Sequence, residues 1–420
     1  MGKDIEELLE DLRELVEVTF LGGVVGQDEN NVQTIGIGEA MLRFGEPAYR
    51  LKESLAQGLW HYRRAIRDQL SLNIVTDQLA VLVRQIKQNA VEPNVTTLTS
   101  FFDKLETQYP LEPWEVYEPL YGTNPLRGAP LTFGPFTVYQ WDSHAGLLRH
   151  LHDGQFAAYP DADTWWETLW LGVSKTHHTF VSAQVQARDQ ARAVELGKDR
   201  FRQFTNTVRF MIGHYNGLLD VGTMDYRRSE FRSTVALSPT RGGETGHVHG
   251  ALVPVALEDP FFTDKSRGHD VIWDLWSQGT LSDLRRRILS AVEWGGKAAR
   301  DADPSKAFVQ CIFGLETLFT WQEKGVLVSP SVASQIAEWA AFVLGKDFSS
   351  RHDIAGRVGA MYGKRSGIAH GGFTAITPED VVAALQLLRD LVAALLTSSE
   401  LRQVQTMKEL RDWVTKQRFS

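Results

Sequence analysis

The sequence predicts an α+β chain: a mixed N-terminal region with a small, largely antiparallel sheet, followed by an all-α helical bundle. Three observations carry this. Apolar residues recur at helical spacing through much of residues 4–104 and again from Asp270 to the C-terminus. Between these stretches Val181, Ala183, Val185 and Ala187 alternate with Ser182, Gln184 and Gln186, the two-residue period of a strand. Six of the 15 prolines fall between Pro110 and Pro135, which excludes long helices there.

Taken in order, residues 1–109 form an N-terminal helical region. Ile5, Leu8, Leu12, Leu15 and Val16 place one apolar stripe on a helix over 4–20. A loop rich in Gly and Asn follows from Gly22 to Gly36, and helical patterns return from Pro47 to Lys104. Residues 110–265 are expected to be a mixed α/β domain. The proline-rich stretch is expected to be a linker leading into its sheet. Trp165, Trp166, Leu169, Trp170, Leu171 and Val173 form a continuous apolar run expected to be a central strand. A helix over Arg188–Ile212 carries Phe201, Phe204, Val208 and Met211, and strands are expected at Phe231–Leu237 and His247–Leu257. A loop holding Gly242, Gly243 and Gly246 joins that last pair.

Residues 270–420 read as the helical bundle. Leu284, Ile288, Ala291 and Val292 mark one helix, and Phe308, Cys311, Ile312, Leu315 and Phe319 a second, entered through the cap Asp303-Pro304. Ser329-Pro330 opens a third helix, containing Ile336, Trp339, Ala340 and Val343. Thr377-Pro378-Glu379-Asp380 opens a fourth, with Val381, Leu385, Leu388, Val392 and Leu395 as its seam.

The 420 residues are 43% apolar and 23% charged, an ordinary globular composition. The single cysteine, Cys311, excludes an internal disulfide and a four-cysteine zinc site, so a reducing, cytoplasmic location is expected. The acidic start, Asp4 to Glu7, is unlike a signal peptide, and position 6 lacks the Ser or Thr of a myristoylation signal. Gln386, Arg389 and Asp390 interrupt the apolar run Val381–Leu396, so no membrane span of about 20 apolar residues is expected. The net charge of -8 is unevenly spread. Residues 281–420 hold 18 Lys plus Arg against 15 Asp plus Glu, which leaves 26 against 37 for the rest. The acidity therefore belongs to the N-terminal two-thirds and does not oppose an RNA ligand at the bundle.

Several motifs fail as chemistry. His150-Leu151-His152-Asp153 has its aspartate one position too early for a metallo-hydrolase motif. His247-Val248-His249 would share a strand face, yet no carboxylate or cysteine partner is placed by the sequence. Gly359 to Arg365 has three residues between its glycines and no Ser or Thr after the lysine, so it is not a phosphate loop. Cys311 sits on an apolar stripe and belongs to the core. No metal ligand and no cofactor are expected.

Two stretches place histidine five positions after arginine: Arg209–His214 and Arg365–His370. The first is simply a helix end, with Gly213 as its stop. The second, Arg365-Ser366-Gly367-Ile368-Ala369-His370-Gly371-Gly372, sits in the bundle. Its plain alternative is structural, with Arg365 capping carbonyls or pairing with an acid and His370 closing a helix.

The region from Leu281 to Leu396 resembles a HEPN domain, and most closely the Apea-like HEPN family. The residues that carry the resemblance are Leu284–Trp294, Phe308–Phe319 with Gly314-Leu315-Glu316-Thr317-Leu318-Phe319, and Tyr362 to Gly371. Phe180–Tyr215 also looks like the segment often joined to this domain. The first 110 residues carry no resemblance. Members of the family are commonly metal-independent ribonucleases of phage defence or toxin systems.

The resemblance implies Arg365 and His370 as catalytic residues, with Glu316 and Ser366 supporting them; Lys364 and Tyr362 are candidates to hold RNA, with a solvated lysine and a packed tyrosine as equally good readings. Family motifs often place Asn, Asp or His where this chain has Ser366. RNA supplies its own 2′-OH nucleophile, so such cleavage needs a base, an acid and positive charge on the phosphate. Histidine suits the proton transfers and arginine the charge. One motif offers one histidine for two proton transfers, so a homodimer through the bundle is expected, with the site shared across a two-fold axis. Five helical positions turn about 140°, so Gly367 and Gly371-Gly372 are expected to end or distort the helix. The expected partners are RNA as substrate and a protein trigger at the N-terminal region. The competing reading is a non-catalytic HEPN module that dimerises, binds RNA or protein, and acts as a sensor.

Overall fold

The computed structural model describes residues 3–21, 33–37, 40–156, 179–223, 231–237, 242–248, 253–321, 331–369 and 375–419. Its order of elements is α+β, as predicted: helices, then a small antiparallel five-stranded sheet, then a run of further helices. Two compact units are present, one of residues 1–116 with 184–198, the other of 117–183 with 199–420.

In the first unit, α1 (Ile5–Val18), α2 (Glu46–Tyr62), α3 (Arg64–Gln69), α4 (Leu72–Asn89) and α5 (Val95–Gln108) accompany three short strands. These are β1 (Phe20–Leu21), β2 (Gln33–Ile37) and β3 (Ala40–Phe44), ordered β1-β3-β2 and antiparallel. The end of the expected Gly and Asn loop is thus a strand. Asp4 caps α1, taking the amides of Glu6 and Glu7 while Glu7 reaches back to the Asp4 amide. The stripe predicted on α1 is buried at Leu8, Leu12 and Leu15, against Leu55, Leu59, Val75, Leu79, Val83 and Phe102.

The sheet is ordered β5-β6-β7-β4-β8. Its strands are β4 (Glu112–Tyr121), β5 (Leu131–Phe133), β6 (Phe136–Gln140), β7 (Thr179–Ala187) and β8 (Gly222–Thr223). A helix, α6 (Trp141–Phe156), follows β6. The expected linker is therefore half strand: β4 contains Pro113 and Pro119. β8 pairs with β4 only at Leu120 and Tyr121. Most of that side of β4 thus has no ladder partner among the described residues, and there a proline lacks no needed N–H. On β7 the alternation holds from Gln184 on; Ser182 is fully buried like its neighbours. The Trp165–Val173 run lies outside the described residues.

A long helix, α7 (Gln190–Ile212), buries Phe204 against Phe133, Phe136 and Trp273. The glycine-bearing loop needs correcting. Gly242, Gly243 and Gly246 lie within β10 (Gly242–Val248), which pairs with β9 (Phe231–Leu237). Ladder bonds are main-chain bonds, so residues without side chains can form them. Of the strand expected at His247–Leu257, His247 and Val248 belong to β10, residues 249–252 lie outside the described residues, and Val255 makes one isolated bridge to Thr123.

The bundle consists of α8 (His269–Ser277), α9 (Asp283–Arg300), α10 (Pro304–Phe319), α11 (Val332–Leu344), α12 (Phe348–Ala369), α13 (Pro378–Thr397) and α14 (Met407–Arg418). Asp303 caps α10 through the amides of Ser305 and Lys306, and Thr377 caps α13. α9 and α10 form an antiparallel pair, α13 packs on both, and α11 and α12 form a second pair touching α10. Their shared core is Ile288, Val292, Phe308, Cys311, Leu315, Phe319, Trp339, Leu385, Leu388 and Leu395. No helix among the described residues is long and apolar enough to cross a membrane.

Candidate functional site

The site is built on α12 and on two helices beside it, α10 and α13. Tyr362 and Arg365 are three positions apart, so they share one face of α12. Both reach Glu316 on α10: Arg365 Nη2 lies 3.6 Å from Glu316 Oε1, and the Tyr362 hydroxyl donates to the same oxygen at 3.4 Å. The Arg365 side chain keeps 37% of its surface exposed and Glu316 keeps 24%. The guanidinium is thus held on one side and open on the other. It has five N–H donors, and the Glu316 contact leaves most of them for another acceptor.

Lys364 is turned toward α13, where its Nζ lies 2.5 Å from Asp380 Oδ1. Asp380 also closes the cap of α13, taking the Thr377 amide at 3.1 Å. The Lys364 hydrogen bond is the chief reason the Asp380 carboxyl is held below its usual range. The Tyr362 hydroxyl is pushed up, first by burial and then by the charge of Glu316 beside it. It therefore stays protonated and acts as a donor at neutral pH.

The structure brings Arg365, Tyr362 and Glu316 together and sets Lys364 beside them on Asp380. Ser366 is exposed and makes no hydrogen bond among the described residues. His370 lies outside the described residues, as do Gly371 and Gly372. Gly367 neither ends nor distorts α12, which continues to Ala369; one glycine inside a helix costs only about 1 kcal/mol.

The motifs set aside above are accounted for. Gly359–Arg365 lies inside α12 and is not a loop. His150 and His152 lie on α6, and the side chain of His152 is not described. His249 lies outside the described residues, and the side chain of His247 is not described. Cys311 is fully buried, and burial pushes its thiol up to about 12. Among the described residues no three His, Cys, Asp or Glu side chains cluster as a metal site.

The Arg209–His214 match is a helix end as expected. Gly213 turns at φ 69° and its amide closes on the Arg209 carbonyl at 2.8 Å. The arginine itself does more than the pattern suggested. Buried Arg209 meets Asp220 at 2.6 Å and donates to the Tyr121 hydroxyl at 3.2 Å, and that hydroxyl donates to Asp220 at 2.8 Å. Arg300 approaches the other Asp220 oxygen at 3.9 Å. These partners come from four separate elements, and no spacing in the sequence links them. The partnership of Lys364 with Asp380 was equally hidden. Asp380 was legible as a capping acid, but only packing shows which lysine it meets.

The chain matches no family model, no curated protein and no solved structure.

Proposed function

We propose that the chain is a metal-independent endoribonuclease of the HEPN type, related to the Apea-like family, acting as a homodimer in antiphage defence or as a toxin. The observation that carries this reading is Arg365: a half-exposed guanidinium held by Glu316 and flanked by Tyr362, in a helical bundle. An arginine kept only to pair with an acid has no need of an open face. An arginine that grips a phosphate needs one fixed partner and free donors.

In the proposed reaction the 2′-oxygen attacks the neighbouring phosphorus while the bond from phosphorus to the 5′-oxygen breaks. The products are a 2′,3′-cyclic phosphate and a 5′-hydroxyl. One proton leaves the 2′-OH and another reaches the departing oxygen, and His370 of each subunit takes one of these roles. Arg365 stabilises the charge that builds on the phosphate oxygens, and Glu316 positions Arg365. Lys364 becomes available to a second phosphate when RNA competes with Asp380 for it. The acidic N-terminal two-thirds suits reading a protein trigger better than coating RNA.

The test is to offer the full-length protein an RNA strand, and the same strand with 2′-deoxy sugars, in EDTA. Cleavage of the RNA alone, with 2′,3′-cyclic phosphate and 5′-hydroxyl ends, is expected. Cleavage of both strands, or 5′-phosphate ends, overturns the reading.

A further inference from the structure

Two arginines and a histidine converge on a small cleft that the ribonuclease reading does not use. Phe210 of α7, Arg267, His269 at the start of α8, and Gln386, Arg389 and Asp390 of α13 line it. Arg389 is its centre. Of its five donors, one goes to the Met211 carbonyl at 2.7 Å and one to Gln386 Oε1 at 3.1 Å. Both acceptors are neutral, and no carboxylate pairs with Arg389 among the described residues. Gly213, with φ at 69°, makes room for the group: a Cβ there would fall 2.2 Å from Arg389 Nη1.

Arg267 is 54% exposed and meets Asp264 at 3.4 Å. That carboxylate also accepts the amide and hydroxyl of Ser266. His269 bonds through Nδ1 to the Phe261 carbonyl at 2.7 Å, which makes Nδ1 the donor, so Nε2 donates to an anion only when the ring is protonated. Asp390, the acid in the lining, turns its Oδ1 to the Gln386 amide at 2.7 Å. Burial pushes both His269 and Arg389 below their ordinary values, and their positive neighbours add to this. An oxyanion seated among them would relieve that repulsion. A simple capping role for Arg389 at the end of α7 explains the Met211 bond. It does not explain why Arg267 and His269 stand beside it.

We propose that this cleft binds a phosphate group, held by Arg389 and Arg267 with His269 and Gln386 at its edge. The group comes either free, as in a small phosphate, or on an RNA strand.

Calorimetric titration of the full chain with pyrophosphate, and with a short RNA, tests this. The proteins compared are the wild type, Arg389→Gln, Arg267→Gln and, as a control at an exposed arginine outside both sites, Arg64→Gln. Pyrophosphate affinity is expected to fall about tenfold or more in the first two variants and to stay unchanged in Arg64→Gln. An RNA affinity that falls in the same two variants identifies a strand as the source. An RNA affinity that stays constant while pyrophosphate binding falls identifies a free phosphate. Arg267 is exposed, so Arg267→Gln keeps the test decisive even where Arg389→Gln fails to fold. Wild-type affinity in Arg267→Gln, or no pyrophosphate binding by the wild type, overturns the proposal and leaves the Arg365 reading untouched.

Discussion

The same substitution, Gly→Ala, should have opposite effects at two helical positions of the bundle. At Gly296 on α9, an added Cβ would fall 2.1 Å from the carbonyl oxygen of Asn206 on α7 and 2.5 Å from its Cα. Those atoms are backbone and cannot swing aside, so the two helices must part by about 1 Å. Overpacking of this kind costs about 1–3 kcal/mol, and a rigid neighbour puts it at the upper end. Helix propensity returns about 1 kcal/mol, so the net loss is about 2 kcal/mol. At Gly359 on the exposed face of α12, the same methyl meets nothing within 4 Å. Only the propensity acts there, a gain of about 0.5–1 kcal/mol. Urea unfolding followed by far-UV circular dichroism separates the two variants. Gly296→Ala should unfold at lower urea than the wild type and Gly359→Ala at higher urea. A Gly296→Ala midpoint at or above the wild type would refute the close crossing of α7 and α9.

Three further outcomes are expected. Burial alone would raise the Asp220 carboxyl, but Arg209, with Tyr121 and Arg300, overcomes it and holds the group below its usual range. Asp220 therefore adds stability above the ordinary carboxylate pKa and loses it as pH falls through its own lower value. The urea midpoint gap between wild type and Asp220→Asn should accordingly shrink in acid, and a gap that widens contradicts the network. Arg209→Met, which strands Asp220, should cost about 3–5 kcal/mol in the same assay. Cys311, pushed up to about 12 by burial, should react with a thiol reagent only as fast as the protein unfolds; rapid labelling of the native chain would show that α10 is not packed as described. Glu316→Gln should lower kcat for RNA cleavage about tenfold by loosening Arg365, with KM and stability little changed. An unchanged kcat would leave Glu316 with packing alone.

The parts of the fold legible in the sequence were those governed by local rules. Apolar spacing marked the helices with Leu8, Leu12 and Leu15 and with Val381, Leu385 and Leu388, and all six residues are buried. Asp303-Pro304 and Thr377-Pro378 marked helix starts because a cap and a first-turn proline act within a few residues. Non-local rules hid the rest. Pro113 and Pro119 argued for a linker, yet both lie within β4, which β8 pairs only at Leu120 and Tyr121. Gly242, Gly243 and Gly246 argued for a loop and instead join a main-chain ladder. At the site, the Arg365 motif could be read from the sequence, and Glu316 came with the family resemblance. The bonds of Asp380 to Lys364 and of Arg209 to Asp220 depend on how helices pack, which periodicity does not encode.

The central claim rests on Arg365 and His370, and cleavage of total RNA in EDTA tests it most directly. The proteins to compare are the full-length wild type, Arg365→Ala, His370→Ala and the control His214→Ala. General acid–base help is worth about 10²–10⁴-fold, so the two motif variants should lose nearly all cleavage while His214→Ala matches the wild type. Equal cleavage by all four proteins would contradict the account.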